Sequence, residues 1–220
     1  MENRGSQLLK AVFDTDNFWM RGCEKILDLA AVNLLFLLSC LPVFTIGIAK
    51  ISLYQTLFAV KGSRRVKLAA TYSRALKENW KLGLQLGLLE EAIVAISVFD
   101  LLLIWNQEAV PFQLLKAVCL GLLIFTVLIF LCAYPLASRF ELTFQEILQT
   151  SLLLVSLNFP WFFLMLAVLT AVCFLCISSG LALVLGACLF LLIGFAAFAF
   201  GQIGMLEKIF HKYEMYKLEK

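Results

Sequence analysis

A chain of 220 residues that is 62% hydrophobic and only 15% charged, with a mean hydropathy of +0.94, cannot cover itself with polar surface as a soluble domain does. The formal charge of +3 is concentrated. Seven of the eighteen Lys and Arg (Lys61, Arg64, Arg65, Lys67, Arg74, Lys77 and Lys81) fall in 61–81 beside one acid, Glu78. The cluster joins two hydrophobic segments, so it marks a cytoplasmic loop obeying the positive-inside rule and excludes nucleic acid as the partner.

The expected fold is an all-α polytopic membrane bundle, six spans arranged as three hairpins with short interfacial amphipathic helices. Residues 1–21 form an N-terminal interfacial segment. Leu8, Leu9, Val12 and Phe13 recur at helical spacing there and predict a surface helix over 6–13. No apolar core with a small-residue cleavage site stands in the first twenty-five residues, so the first span is expected to serve as an uncleaved anchor. The membrane domain covers 22–206. Its first span is 22–41 and ends at Pro42, because proline disfavours helix in the residue before it. Thr45 is then placed to cap a second span over 45–60 that opens with Ile46 and Gly47.

The basic loop leads to a third span, 80–105, with Trp80 and Trp105 as interfacial anchors. A short turn with Pro111 precedes the fourth span, 114–137. Residues 141–157 are amphipathic, with Phe144, Ile147, Leu148, Leu152 and Val155 on one stripe. The fifth span, 161–177, and the sixth, 181–203, meet at Ser178-Ser179-Gly180, and 207–220 is a polar cytoplasmic tail. Six spans put both termini, the basic loop, Arg139 and the tail lysines on one side; the opposite turns hold no Lys or Arg. Five spans, with 29–60 taken as one, would turn the N-terminal charges outward. The count therefore favours six spans with cytoplasmic termini. Asn17-Phe-Trp19, Asn79-Trp80 and Asn158-Phe-Pro-Trp161 stand at the starts of three outward spans. Those junctions fit a threefold repeat of surface helix plus hairpin, or independent use of Asn caps and Trp anchors.

Charges inside spans are costly and are functional candidates by default. The second span holds Lys50 and the third Glu90, Glu91 and Asp100; Asn33 is the polar residue of the first. With a rise of about 1.5 Å per residue, Lys50 lies roughly 7–8 Å and Asp100 about 9 Å from the same outer turn. An ion pair between them is expected to join spans two and three. Glu90 and Glu91 point about 100° apart, so one faces a bundle cavity near Asn33. Gly186, Gly194, Ala196, Ala197, Ala199, Gly201 and Gly204 make the last span a close-packing helix. Cys173-Phe-Leu-Cys176 is a CxxC in pattern only, and His211 is the single histidine. A metal site, a disulfide framework and His-based catalysis are not expected, nor is any cofactor. The absence of Walker A and zinc-protease motifs also points away from an enzyme.

Asn33-Leu-Leu-Phe-Leu-Leu-Ser-Cys-Leu-Pro-Val-Phe-Thr-Ile-Gly47, with Ala49 and Leu53-Tyr54, resembles the signature of the YesL family of bacterial membrane proteins. Pro42, Thr45 and Gly47 are its turn. Tyr72-Ser-Arg-Ala-Leu-Lys-Glu-Asn-Trp-Lys81 is similar to that family's aromatic-x-x-Ala-x-Lys-x-Asn segment. The resemblance covers 17–105. Ile48 departs from it where the family often has proline, and Lys50 where small residues are usual. The family is a domain of unknown function, mostly from Gram-positive bacteria, with genes often beside carbohydrate ABC-transporter components. The resemblance implies a plasma-membrane accessory of sugar uptake, docking on an ABC-transporter permease or a membrane sensor, and supplies no active site. The rival expectation is a small transporter or channel with Glu90, Glu91, Lys50 and Asp100 along a polar path. A cavity reaching Glu90 or Glu91 favours the rival; a dry bundle with an apolar cytoplasmic groove favours docking.

Overall fold

The computed structural model describes residues 18–62 and 66–213, with side chains from residue 22 onward. The surface helix expected at 6–13, Asn17, Arg64, Arg65 and the tail beyond 213 lie outside the described residues.

The chain folds as helices α1 (Phe18–Ser39), α2 (Ile46–Gly62), α3 (Leu68–Glu78), α4 (Trp80–Ile104), α5 (Val110–Arg139), α6 (Phe144–Leu157), α7 (Phe159–Ile177), α8 (Gly180–Leu189) and α9 (Phe195–Lys212). A 3-10 turn, Val43–Thr45, precedes α2, and a π segment, Phe190–Gly194, joins α8 to α9. Among the described residues, four stretches are long and apolar enough to cross a membrane: Val43–Gly62, Val110–Arg139, Phe159–Ile177 and Gly180–Lys212. α1 and α4 have the length, at 22 and 25 residues, but carry Arg21, Glu24, Lys25 and Asp28 in one and Lys81, Glu90, Glu91 and Asp100 in the other. The architecture is an all-α membrane bundle.

The core lies toward the end of the bundle that carries Arg139. Ile51 and Leu57 of α2, Leu128 and Leu136 of α5, Ile147 of α6, and Ile203, Leu206 and Phe210 of α9 are fully buried there. Phe140 and Phe210 meet edge to face, 5.2 Å between centroids. α2 is buried on most of its circumference, as suits a helix apolar all round. Toward the Trp105 end the pattern reverses. Leu102, Leu103, Val118, Phe174, Leu181 and Val184 are exposed, as apolar side chains in contact with lipid are.

The basic segment is not an open loop. Residues 68–78 form α3, whose buried face is Tyr72 and Ala75 and whose polar face carries Arg74, ion-paired to Glu78 at 2.6 Å one turn on. α3 runs into α4 through Asn79. Here the sequence suggests a cap for the following helix, but the Asn79 amide instead donates back to the Ala75 carbonyl (3.0 Å) and across to Gln55 (2.6 Å). Asn158 does the same between α6 and α7, donating to Leu154 O at 3.1 Å and to the Tyr213 hydroxyl at 3.4 Å. Both asparagines close the helix before them, because a short amide reaches the carbonyl four residues back more readily than an N–H ahead when the backbone turns here.

α6 begins with a capping box. The Thr143 backbone N–H and hydroxyl donate to Glu146 at 2.7 and 2.8 Å and hold its carboxyl below the ordinary glutamate value. Its buried stripe is Ile147, Ser151, Leu154 and Val155, and Leu152 faces outward. A 3.6-residue period from Ile147 passes through 151 and not 152, so the polar Ser151 takes the inner position that the sequence pattern gives to leucine.

The turn between α1 and α2 is tied internally. The Thr45 hydroxyl does not cap α2; it donates to Ser39 O (2.6 Å) and Pro42 O (2.7 Å). The Ser39 hydroxyl donates within α1 and also bonds the Tyr72 hydroxyl of α3. Gly47, at the start of α2, lies backbone to backbone on α4: a β-carbon there would stand 2.2 Å from Gly83 O and 2.6 Å from Gly87 Cα. The turn is therefore level with the first third of α4. Residues 88–104 run on for about 25 Å at ~1.5 Å per residue.

Candidate functional site

That offset decides which charges meet. Lys50 does not pair with Asp100. Its ammonium donates to both oxygens of Glu90, at 2.8 and 2.6 Å. The expected depth match placed the start of α2 level with the end of α4; in the fold α2 starts opposite Gly83 and Gly87, which brings Glu90 within reach of Lys50 and leaves Asp100 far along the helix, half-buried. The Tyr134 hydroxyl of α5 donates to the same Glu90 carboxylate, and the Lys50 ammonium lies 4.7 Å from the centre of the Tyr134 ring. The side chains of Lys50 and Glu90 are 29% and 16% exposed, so most of the pair is shielded. Lys50 has three donors and Glu90 takes two. One N–H thus meets no acceptor among the described residues, while the Tyr134 ring lies over the cation.

The pair forms the floor of a cavity of about 220 Å³ among α1, α2, α4, α5 and α9. Its walls are chiefly aromatic and aliphatic: Phe36, Leu53, Val127, Phe130, Phe195 and Phe198. On the side toward Arg139 it is closed by a buried polar bolt, in which the Tyr54 hydroxyl donates to Gln202 Oε1 and Gln202 Nε2 donates to Leu131 O at 2.6 Å. An apolar pocket with a few convergent polar groups is the usual form of a small-molecule site.

Glu91, one residue from Glu90, points elsewhere on the helix; its Oε1 is buried without a hydrogen-bond partner. Asn33 is not beside either glutamate. It is wholly buried against the π segment, where its amide donates to Phe190 O (3.2 Å) and Leu191 O (2.8 Å) and accepts from Ala196 N (3.0 Å). A π segment breaks the i to i−4 ladder and leaves such groups unpaired; one carboxamide satisfies all three. The small residues of the last span serve several neighbours: Ala196 and Ala199 are buried in the core, and Gly186 abuts Cys176 of α7.

At the Arg139 end, Gln55, Phe58, Lys61, Ser138, Arg139 and Glu207 line a wider, polar cavity of about 560 Å³. Glu207 of α9 bridges Lys61 and Arg139, the latter at 3.4 Å, and the Arg139 guanidinium lies 4.9 Å from the Phe58 ring. Of the other basic residues, Lys81 lies over the Trp80 ring at 5.5 Å and Lys67 is exposed. Tyr134, Tyr54 and Gln202 are the site residues that sequence reasoning passed over. The signal was present, since polar side chains in otherwise apolar spans must find partners.

Residues 29–101 match the profile of a family described as "Protein of unknown function, DUF624". The match falls within the stretch that resembles YesL proteins and attaches no activity to it. No curated protein and no solved structure matches the chain.

Proposed function

We propose that the chain is a non-enzymatic, multi-pass protein of the bacterial plasma membrane, of the YesL type, with both termini cytoplasmic, and that it works as a small transporter or channel whose ligand enters the cavity over Lys50 and Glu90. The observation that carries this reading is the cavity itself, which reaches Glu90 inside the bundle. A shielded charge pair with a spare donor at the base of an apolar pocket is what a carrier needs to hold a polar group within the membrane. The Tyr54–Gln202 bolt closes one end, so that access runs from the other.

A second reading is an accessory partner of carbohydrate uptake, docked on an ABC-transporter permease or a membrane sensor. It is supported by the wide polar cavity at Lys61, Arg139 and Glu207. Purification of the tagged protein from its native membrane in mild detergent, with mass spectrometry of what accompanies it, separates the two. Recovery alone, followed by loss of flux in Glu90→Gln at normal expression, is expected for the transporter. A stoichiometric permease or sensor subunit, with function intact in Glu90→Gln, overturns that reading in favour of docking.

A further inference from the structure

The span from α1 to α2 is long enough to cross a bilayer twice, yet it stops well short of the end of its neighbour. We infer that α1 and α2 form a re-entrant hairpin whose apolar tip, residues 41–44, ends among lipid acyl chains and does not emerge on the far side.

Three independent features place the tip. The start of α2 touches α4 at Gly83 and Gly87, and residues 88–104 continue for about 25 Å beyond that contact. At the opposite end of α2, Lys61 is paired with Glu207 and Phe58 with Arg139, so this end is anchored where α5 and α9 end. The end of α1 is tied to α3: the Ser39 hydroxyl bonds Tyr72, a residue of the connecting helix that follows α2. A turn within one tyrosine's reach of α3 is on the α3 side of the bundle's middle.

The chemistry of the tip fits acyl chains. Leu41, Val43 and Phe44 are 78%, 64% and 57% exposed, an apolar cluster that water would disfavour. Irregular backbone at membrane depth requires its polar groups to be satisfied from within. Here Cys40 N–H bonds Phe36 O at 3.0 Å, Thr45 N–H bonds Pro42 O at 3.1 Å, Pro42 has no N–H to satisfy, and the single Thr45 hydroxyl proton is shared between the Ser39 and Pro42 carbonyls. No Lys, Arg, Asp or Glu occurs in 29–49. On this account the full crossings are α4, α5, α7 and the α8–α9 rod, an even number that leaves the start of α1 and the end of α9 on one face. Length and composition alone also admit 43–62 as a span; the position of Gly47 against α4 is what argues otherwise.

The test is single-cysteine labelling with a membrane-impermeant maleimide from each face, in a background with the seven native cysteines replaced. Gln107→Cys is expected to label from one face and Lys67→Cys from the other. Leu41→Cys, Val43→Cys and Phe44→Cys are expected to resist labelling from both. Labelling of the tip from the Gln107 face at a comparable rate would restore two full crossings, and labelling from the Lys67 face would place the tip in water; either overturns the proposal. A second variant keeps native cysteines. Phe44→Trp, in a background with Trp19, Trp80, Trp105 and Trp161 replaced by Phe and reconstituted in bilayers of bromolipid, is expected to be quenched most by bromines deep in the acyl chain; strongest quenching by bromines near the headgroup overturns the re-entrant tip.

Discussion

Replacing Gly47 by alanine puts a carbon where α2 and α4 already touch. The new atom would stand 2.2 Å from the Gly83 carbonyl oxygen and 2.6 Å from Gly87 Cα, against an ordinary contact of 3.4 Å or more. Both neighbours are backbone, so no side chain can rotate away, and the helices must separate by more than an ångström. Overpacking of this kind costs about 1–3 kcal/mol. Alanine returns about 0.5–1 kcal/mol by its better helix propensity. The control is Gly204→Ala on α9, where the nearest atom is the Lys61 ammonium at 3.9 Å, so only the propensity gain applies. Gly47→Ala should therefore fall below Gly204→Ala by about 1–3 kcal/mol in equilibrium unfolding in mixed micelles of rising SDS fraction. Gly47→Ala should also loosen the Lys50–Glu90 contact, since Lys50 lies one turn on along α2. Equal unfolding midpoints for the two variants would refute the backbone contact and, with it, the level assigned to the turn.

Lys50→Met and Glu90→Leu should each destabilise the bundle by about 2–3 kcal/mol, because each leaves a shielded charge unpaired, and the double variant should recover at least half of that; a double-mutant cycle in the same unfolding assay reads the coupling. Asp100→Asn should show no coupling to Lys50→Met. Asn33→Leu should cost about 2 kcal/mol by orphaning two carbonyls and one N–H at the π segment, seen as faster amide exchange at Ala196. The Glu146 carboxyl is held below its ordinary value, so its contribution to the start of α6 is complete above the unfolded glutamate pKa and is lost as pH falls through the folded one. Amide exchange over 144–147 should accelerate in that acid range; Thr143→Ala, which keeps the backbone N–H bond to Glu146 and loses only the hydroxyl, should weaken the pH dependence, and Glu146→Gln should abolish it.

The helical stretches and the charge inventory were legible because apolar length and Lys/Arg placement act locally. The breaks were legible for the same reason, at Pro42, at Ser178–Gly180 and at the two Asn-Trp junctions. What the sequence does not carry is the relative height of helices. Depth counted from a turn assumes that each turn reaches a membrane surface, and Gly47 sits against Gly83 and Gly87 instead. Lys50 was therefore assigned Asp100 when its reach is to Glu90. α3 hid inside the basic segment because its apolar face is as small as Tyr72 and Ala75. Asn33 could be read as buried and polar, but its partner is a π segment that no periodicity announces. Tyr134 and Gln202 each stand alone in apolar stretches on different helices, and only the packing brings them to Glu90 and Tyr54.

The central claim is that the cavity over Lys50 and Glu90 holds a small molecule. Val127→Trp, on its half-buried wall, would fill it without touching the charge pair. The most direct measurement is mass spectrometry of the small molecules and lipids retained by the protein in nanodiscs drawn from its native membrane, for the natural chain and for Val127→Trp. A molecule retained by the natural chain and lost from Val127→Trp, with the unfolding midpoint unchanged, is the predicted result. The same molecules in both, or none in either, would contradict it.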